Sequence, residues 1–284
     1  MRVLVTGAEG QVGHELVGAF EAAGHEVVGT AYRTLDVAAR DAVLAAITTV
    51  APDAVVNAAA WTAVDACEAD PDRAFAVNAL GVRHVVEAAR LVGAHLCHFS
   101  TDYVFSGDKQ GPYHEWDEPD PRSVYGRSKL AGERELAPGS TLVRTSWVCG
   151  RVGANLVKTV LRLAGEHDQL AFVDDQHGCL TVASDLAATV CHLVVGRRPG
   201  TFHVTNQGAT TWYEVAAAVL AAAGLDPGRV RPIATAELDP PRPAPRPANS
   251  VLDNAALRLG GLPLLPPWQD SLAALVRGLT SAGR

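Results

Sequence analysis

The sequence contains little cysteine, no excess of positive charge and no long hydrophobic run. Its five cysteines are widely spaced and include no CxxC pair, so neither a zinc site nor a disulfide framework is predicted. Its 24 Lys and Arg residues are outnumbered by 31 Asp and Glu residues, which argues against binding to the phosphates of nucleic acids. Because no apolar run approaches the roughly 18–20 residues that a bilayer requires, no membrane span is predicted either.

The remaining composition is typical of a globular protein of 284 residues, with 48% hydrophobic and 19% charged residues. This length accommodates about two domains, or one large α/β unit with a smaller lobe. The first residues, MRVLVTGAEG, are typical of a strand from the start and leave no room for a signal peptide. We therefore expect a cytoplasmic protein.

The first 150 residues alternate short apolar runs with longer helical patterns. The predicted strands are residues 2–6, 26–30, 54–57, 95–100 and 141–145, and the predicted helices are residues 11–23, 40–50, 72–92 and 125–136. This alternation predicts an α/β fold with a Rossmann-type, doubly wound parallel sheet. A ligand would then lie at the carboxyl ends of the strands, where Gly7, Asn57, Ser100 and Thr145 occur.

Beyond residue 150 the pattern is looser, and we predict a smaller C-terminal lobe over residues 151–284, with some segments returning to the sheet of residues 1–150. Helices are predicted at residues 156–165, 186–195, 213–224 and 269–280. The segment PPRPAPRP at residues 240–247 cannot form a helix or a central strand, because proline has no backbone donor. It is either a linker or a loop held against the body of the protein.

Three glycines, Gly7, Gly10 and Gly13, follow the first predicted strand and begin the first predicted helix. Glycines permit a tight turn there, and the helix N-terminus directs free N–H groups at a pyrophosphate. This arrangement predicts a dinucleotide-binding domain over residues 1–150, although a glycine-rich structural turn has the same pattern. The spacing is GxxGxxG rather than GxGxxG.

The second predicted strand lacks the acidic residue that commonly binds the adenosine ribose of NAD. Thr30 stands at its end and Arg33 lies just beyond. No carboxylate would repel a 2′-phosphate there, and Arg33 could pair with one, so NADPH is the predicted cofactor and NADH a second acceptable one. Arg33 could equally be a solvated loop residue. Asp36 and Val37 follow, in a position to border the adenine.

Tyr125 and Lys129 form a YxxxK pattern, which places both side chains on one face of a helix. A free tyrosine has a pKa of about 10, and a neighbouring ammonium favours the phenolate. Together with Thr101 at the end of the fourth predicted strand, the pair could act on a carbonyl oxygen by acid–base catalysis. Taken alone, YxxxK also describes a surface tyrosine and lysine on an amphipathic helix.

Six further motifs occur in the order found in one enzyme family: NAAAWTAVDACE, STDYVFSG, YGRSKLAGE, RTSWVCG, DDQHG and RPANSVL. With them, nearly the whole chain resembles the extended short-chain dehydrogenases/reductases, and within these the dTDP-4-dehydrorhamnose reductase family. STDYVF and RPANSVL are more specific than the glycines, because they separate these reductases from the epimerases and dehydratases that share the fold. The sequence departs from the family pattern at Trp61 and Leu180.

The resemblance implies that the catalytic residues are Tyr125, Lys129 and Thr101, with Tyr125 as proton donor and Lys129 lowering the tyrosine pKa and holding the nicotinamide ribose. Together with the glycine loop and Arg33, it implies a cofactor site formed by Gly7, Gly10, Gln11, Val12, Gly13, Arg33, Asp36, Val37, Ala60, Trp61, Thr62, Phe99, Tyr125 and Lys129. It implies substrate contacts from Thr101, Asp102, Tyr125, Trp147, Arg246 and Asn249. The smaller lobe would mainly bind substrate.

The implied reaction is the NADPH-dependent reduction of the 4-keto group of dTDP-4-dehydro-6-deoxy-L-mannose to dTDP-L-rhamnose. The alternatives are a related dTDP-4-keto-6-deoxysugar reductase, such as one of dihydrostreptose type, and a non-catalytic regulatory relative. Some family members bind magnesium at a subunit interface, where Glu15 matches one ligand but Ser184 stands in place of an acidic residue. No metal is therefore predicted, and we expect a monomer or a weak homodimer.

Overall fold

A six-stranded parallel sheet is the centre of the fold. The computed structural model describes residues 1–281, in which the strands are β1 (Arg2–Thr6), β2 (Glu26–Thr30), β3 (Ala54–Asn57), β4 (His95–Thr101), β5 (Thr141–Thr145), β6 (Val148–Cys149), β7 (Leu170–Val173), β8 (His177–Gly178), β9 (Thr181–Val182), β10 (Gly200–His203), β11 (Thr210–Thr211) and β12 (Val230–Ile233). The sheet has the order β10-β5-β4-β3-β1-β2, and its neighbouring strands are parallel. The chain order reverses between β1 and β3, which is where ligands bind in doubly wound sheets.

Helices cover both faces of this sheet. In the described residues they are α1 (Gln11–Ala22), α2 (Arg40–Val50), α3 (Val64–Ala69), α4 (Pro71–Phe75), α5 (Gly81–Val92), α6 (Val124–Glu133), α7 (Leu156–Glu166), α8 (Ala183–Val195), α9 (Trp212–Ala222), α10 (Ala255–Leu259) and α11 (Trp268–Ser281). Successive strand side chains point to opposite faces, so Val3 and Val5 pack with α1 and α8, whereas Leu4 packs with α2 and α5. No helix within residues 1–281 is long and apolar enough to cross a membrane.

The predicted Rossmann-type sheet is confirmed, and its first five strands agree with the sequence-based bounds to within one residue. The predicted helix at residues 72–92 has a more complex form, because α4 and α5 are joined by a π-helical turn at Ala76–Leu80. The spacing of the hydrophobic residues in the sequence does not reveal that π-helical turn. The sequence also does not predict α3, because six residues are too few for a helical pattern to be recognised.

A second apolar core lies among the elements beyond residue 150. Val160 of α7, Val219 of α9 and Leu272 of α11 pack there with Leu170 of β7 and Val230 of β12. In contrast, β10 belongs to the main sheet and α8 to one of its covering layers. The chain beyond residue 150 thus contributes to both cores, and the domain boundary at residue 150 stays a prediction.

The proline-rich segment is a loop held against the body of the protein. Ala244 is 1% exposed, and its backbone N–H donates to Asp65 Oδ1 at 3.1 Å. Arg246 donates to the same carboxylate at 2.5 and 2.8 Å. These contacts join the end of the segment to α3, so the linker interpretation does not hold.

Helix α6 lies very close to its neighbours because of two glycines. A Cβ atom on Gly126 or on Gly132 would lie 2.2 Å from the carbonyl oxygen of an adjacent segment. The buried Arg144–Glu133 pair, with bonds of 2.6 and 2.9 Å, ties the end of the helix to β5. These contacts fix the position of the helix that carries both residues of the YxxxK pattern.

We expect Gly13→Ala to lower the free energy of unfolding by ~1–3 kcal/mol, the usual range for an overpacked site. The added Cβ would lie 2.1 Å from the Gly7 carbonyl oxygen. Gly18 lies on the same helix with nothing within 4 Å of its Cβ position, so Gly18→Ala should instead raise the free energy of unfolding by up to about 1 kcal/mol. Urea unfolding measures both values, and equal effects would contradict the close approach at Gly13.

Candidate active site

A cleft of about 410 Å³ opens beside the carboxyl ends of β1, β4 and β5. Most of the sequence-predicted site residues line it, namely Gly10, Gln11, Val12, Gly13, Ala60, Thr62, Phe99, Thr101, Asp102, Tyr125, Lys129 and Trp147. The fold therefore gathers residues from distant parts of the chain into one site. The other predicted residues lie outside this lining: Gly7, Arg33, Asp36, Val37, Trp61, Arg246 and Asn249.

The glycine loop has a geometry that suits an anion. Gly7 has a φ of +69°, and a Cβ on it would lie 2.9 Å from the Ala58 backbone. Helix α1 begins after Gly10 with no acidic residue in its first turn. Because Gln11 and Val12 line the cleft, the positive end of the helix dipole lies at its wall. The residues present therefore fit a pyrophosphate.

Gln11 joins the glycine loop to the chain that follows β6. Its Oε1 accepts bonds from the Gly150 N–H at 3.0 Å and from Asn155 Nδ2 at 2.9 Å. Asn155 in turn caps α7 by accepting the Lys158 N–H at 3.1 Å. One side chain thus connects the predicted cofactor loop with the first helix of the second core.

The residues at the predicted adenosine end of the site differ in their exposure to solvent. The Arg33 side chain is 82% exposed and lies 3.4 Å from Glu9. Thr30 Oγ1 is buried without a hydrogen-bond partner in residues 1–281. Asp36 accepts a backbone hydrogen bond at 3.0 Å, and Val37 is buried. An exposed ion pair of this kind is weak, so Arg33 is available to a ligand.

Tyr125 and Lys129 are buried in the wall of the cleft, with 8% and 2% exposure. Lys129 Nζ donates to the Phe99 carbonyl oxygen of β4 at 2.7 Å. Thr101, the last residue of the same strand, also lines the cleft. The interpretation of YxxxK as a surface pair therefore does not hold.

Burial controls the protonation of both groups. It raises the pKa of Tyr125, and the nearby Thr101 hydroxyl opposes this only in part. It lowers the pKa of Lys129 to about 8. Desolvation exceeds the other effects on Tyr125, and the lowering of its pKa by the Lys129 ammonium stays a prediction. The phenol is neutral at pH 7, as it is in a free tyrosine, and can donate a proton.

Asp102 is a further acidic group in the cleft wall. Thr101 Oγ1 donates to its Oδ1 at 2.9 Å, whereas Oδ2 is buried without a hydrogen-bond partner in the described residues. Burial raises the pKa of Asp102 to about 6. Asp102 lines the cleft, but this oxygen is enclosed by protein atoms.

A second cavity, of about 480 Å³, adjoins the cleft, and Tyr103 and Trp212 border both. Arg242 and Arg246 line this cavity beside apolar and aromatic side chains. Arg246 is paired with Asp65 at 2.5 and 2.8 Å, and this hydrogen bonding lowers the pKa of Asp65. The cavity combines apolar walls with guanidinium groups, which suits a flat ring that carries an anionic group.

Two predicted site residues, Asn249 and Trp61, make contacts within the protein and lie outside both cavities. Asn249 Nδ2 donates to the carbonyl oxygens of Lys109 and Gly111, both at 2.8 Å, and Asn249 lines neither cavity. Asn249 thus holds a loop in this structure, and its contact with substrate stays a prediction. The Trp61 ring lies 4.6 Å from the Arg73 guanidinium and also lines neither cavity.

Trp212 is a cleft residue that sequence reasoning does not identify. Its ring is stacked on Trp147, with ring centroids 3.6 Å apart. No motif spacing connects the two residues, since only the fold brings them together. Tyr103, which also lines the cleft, has a signal in the sequence because it lies within STDYVF.

Some family members bind magnesium at positions that correspond to Glu15 and Ser184 here. These two residues and Asp185 line a pocket separate from the cleft. Asp185 Oδ2 already accepts bonds from Asn206 and Ser271. Within residues 1–281, no group of three or more His, Cys, Asp or Glu side chains is placed to hold a metal ion.

The family model of the RmlD substrate binding domain matches residues 1–281. The chain belongs to this family. It is 43% identical over 280 residues to a dTDP-4-dehydrorhamnose reductase of Streptomyces griseus, covering 95% of this chain and 91% of the relative. It is 42% identical over 279 residues to a probable dTDP-4,6-dihydroxy-2-methyloxan-3-one 4-ketoreductase of Streptomyces antibioticus, covering 96% and 93%. The resemblance to dTDP-4-dehydrorhamnose reductases is thereby confirmed.

A solved structure extends the comparison from the sequence to the three-dimensional fold. The dTDP-4-dehydrorhamnose reductase from Bacillus anthracis, solved in complex with NADP, matches with a TM-score of 0.93 and 35% identity. The match covers 98% of this chain and 99% of that chain.

We expect Lys129→Met to raise the free energy of unfolding of this RmlD-family protein by ~1–3 kcal/mol at pH 7, because it removes a buried charge. The Lys129 pKa is about 8 in the folded protein and about 10.4 in an unfolded chain. The wild type therefore gains stability as the pH rises between about 8 and 10, where the unfolded chain binds more protons, and the difference between the two proteins shrinks.

Urea unfolding at pH 7 and at pH 10 measures this difference. Arg127→Met, on the exposed side of α6, is the matched control and should show no such dependence on pH. A difference that widens with rising pH would contradict the low pKa of Lys129.

Proposed function

We propose that this protein reduces the 4-keto group of dTDP-4-dehydro-6-deoxy-L-mannose to dTDP-L-rhamnose with NADPH. The observation that carries the proposal is that Tyr125, Lys129 and Thr101 share one cleft with the glycine loop. The name of the Streptomyces griseus relative and the NADP complex of the Bacillus anthracis structure support it.

The cofactor would be held along the carboxyl edge of the sheet. Gly10, Gln11 and Val12 offer the N-terminus of α1 to the pyrophosphate, Arg33 would pair with the 2′-phosphate, and Lys129 would bind the nicotinamide ribose. When bound, NADPH supplies the hydride that reduces the carbonyl carbon.

Tyr125 supplies the proton. Its phenol is neutral at pH 7, as in a free tyrosine, and burial raises its pKa further, so it would donate to the sugar O4 as negative charge develops there. The Lys129 ammonium, fixed by its 2.7 Å bond to Phe99, favours the phenolate that remains. The hydrogen bond of the Thr101 hydroxyl, in the same wall, lowers the tyrosine pKa, which makes the phenol a stronger proton donor.

The substrate would extend from the cleft into the second cavity. Trp147 would offer an apolar plane to the 6-deoxyhexose, and Thr101 and Asp102 line the same cleft. Arg246 offers a planar fork to the diphosphate, which would replace Asp65 as its partner. Because the lining of the second cavity comes mainly from residues beyond 150, we assign substrate binding mainly to residues 151–284.

A second candidate is the reduction of another dTDP-4-keto-6-deoxysugar, of the dihydrostreptose type or similar. The name of the Streptomyces antibioticus relative, a 4-ketoreductase, favours this candidate. The third possibility, a non-catalytic regulatory protein, is disfavoured by the complete set of Tyr125, Lys129 and Thr101 in the cleft. Assays of the purified protein with several dTDP-4-keto sugars, with NMR identification of the products, separate the three.

We also propose that the protein acts in the cytoplasm as a monomer or a weak homodimer. Its five buried cysteines are all free thiols, which suits a reducing compartment. Analytical ultracentrifugation over a range of concentrations measures the oligomeric state.

Replacing the proton donor tests the mechanism. Tyr125→Phe should lower kcat by roughly 10²–10⁴-fold, because proton delivery to O4 is lost, and should leave the Kd for NADPH nearly unchanged. Tyr213→Phe, on α9 and outside both cavities, is the matched control and should keep normal turnover. Near-normal activity of Tyr125→Phe would remove this residue from the mechanism.

Replacing Arg33 tests the preference for the cofactor. Since Arg33 is 82% exposed, Arg33→Ala should weaken the use of NADPH by only ~2–5-fold and leave the use of NADH unchanged. The measurement is kcat/KM for both cofactors, with Arg40→Ala as an exposed control. Equal losses for both cofactors, or a strong wild-type preference for NADH, would contradict the assignment.

A further inference from the structure

Trp147 has a backbone conformation that bulky residues rarely adopt. Its φ is +44°, in the left-handed region, where a non-glycine residue persists only if its surroundings enforce it. The residue follows the buried strand β5 and lines the cleft. The structure must therefore contain contacts that hold Trp147 in place.

One set of contacts comes from the backbone that surrounds Trp147. Ser146 Oγ donates to the Cys179 carbonyl oxygen at 2.6 Å, and the Trp147 carbonyl oxygen accepts the Thr181 N–H at 3.3 Å. Gly178 leaves the space that the ring occupies, since a Cβ there would lie 2.5 Å from two atoms of the indole. The two hydrogen bonds fix the backbone beside Trp147, and the absence of a side chain at Gly178 provides the space in which its ring lies.

The other contact is the stack with Trp212. The two indole rings are 3.6 Å apart between centroids and inclined by 13°. Trp212 is itself fixed, because its Nε1 donates to Gln176 Oε1 at 3.0 Å and Gln176 Nε2 donates to Thr235 Oγ1 at 2.9 Å. Trp212 is also the first residue of α9, whose N-terminus has a complete capping box.

We infer that Gln176 and Trp212 are positioning residues that hold the Trp147 ring against the sugar of the substrate. This inference rests on the proposed function. Gln176, from the DDQHG motif, lines the second cavity, but both ends of its amide are bonded to Trp212 and Thr235. Trp212 acts through Trp147, and Gln176 acts through Trp212 by fixing the orientation of its indole.

Steady-state kinetics test the inference. Trp212→Leu should lower kcat/KM for the keto sugar by ~10–100-fold, mainly through a higher KM, because a displaced Trp147 ring no longer orients the sugar. Trp212→Phe, which retains an aromatic stack, should recover part of this loss. In both Trp212 variants the Kd for NADPH should stay within about twofold of the wild-type value, since neither Trp212 nor Trp147 belongs to the glycine loop.

A double-mutant comparison separates positioning from direct contact. If Trp212 acts through Trp147, the Trp147→Phe/Trp212→Leu double variant should lose no more activity than the worse single variant. Additive losses would show that Trp212 contacts the substrate itself and would overturn the positioning role. An unchanged KM in Trp212→Leu would overturn it as well.

A spectroscopic readout keeps the inference testable without turnover. Two stacked indoles give a coupled pair of bands in far-ultraviolet circular dichroism, which should vanish in Trp147→Phe and in Trp212→Phe alike. Gln176→Met, which keeps both rings, should weaken it, whereas Trp116→Phe should not, because Trp116 is 70% exposed and outside the stack. Absence of this signal in the wild type overturns the inference. Its presence in a protein that reduces none of the keto sugars would instead contradict the proposed function.

Discussion

The close packing of α6 is the constraint on which the rest of the site depends. Gly126 and Gly132 let the helix approach neighbouring carbonyl oxygens more closely than a Cβ would permit, and Tyr125 and Lys129 are buried as a result. Burial then determines their chemistry, because it raises the pKa of the phenol and lowers that of the ammonium to about 8. A neutral phenol is the form that a reductase requires for its proton donor.

Both parts of the chain contribute to the site, and a small number of side chains connect them. Gln11 bonds the glycine loop to Gly150 and Asn155, and Trp212 borders the cleft as well as the second cavity. The loop at residues 240–247 is held to α3 through Asp65. The cleft and the second cavity are therefore parts of one connected structure.

Much of the fold could be predicted from the sequence, because the first five strands and the glycine loop have strong local patterns. The site could be predicted only in part. That Asn249 holds a loop and that Trp212 stacks on Trp147 depend on contacts between distant segments, which no local pattern encodes. The direction of the Tyr125 pKa shift was also beyond the sequence, because a YxxxK spacing shows the neighbouring ammonium but not the desolvation.

The most direct test of the account is to follow the label from NADPH deuterated at both hydrogens of the nicotinamide C4. We expect the purified protein to convert dTDP-4-dehydro-6-deoxy-L-mannose into dTDP-L-rhamnose that carries one deuterium at the sugar C4, which NMR detects. Product labelled elsewhere, or oxidation of NADPH without deuterium in the sugar, would contradict the account. So would the absence of any reaction in a protein that binds NADPH.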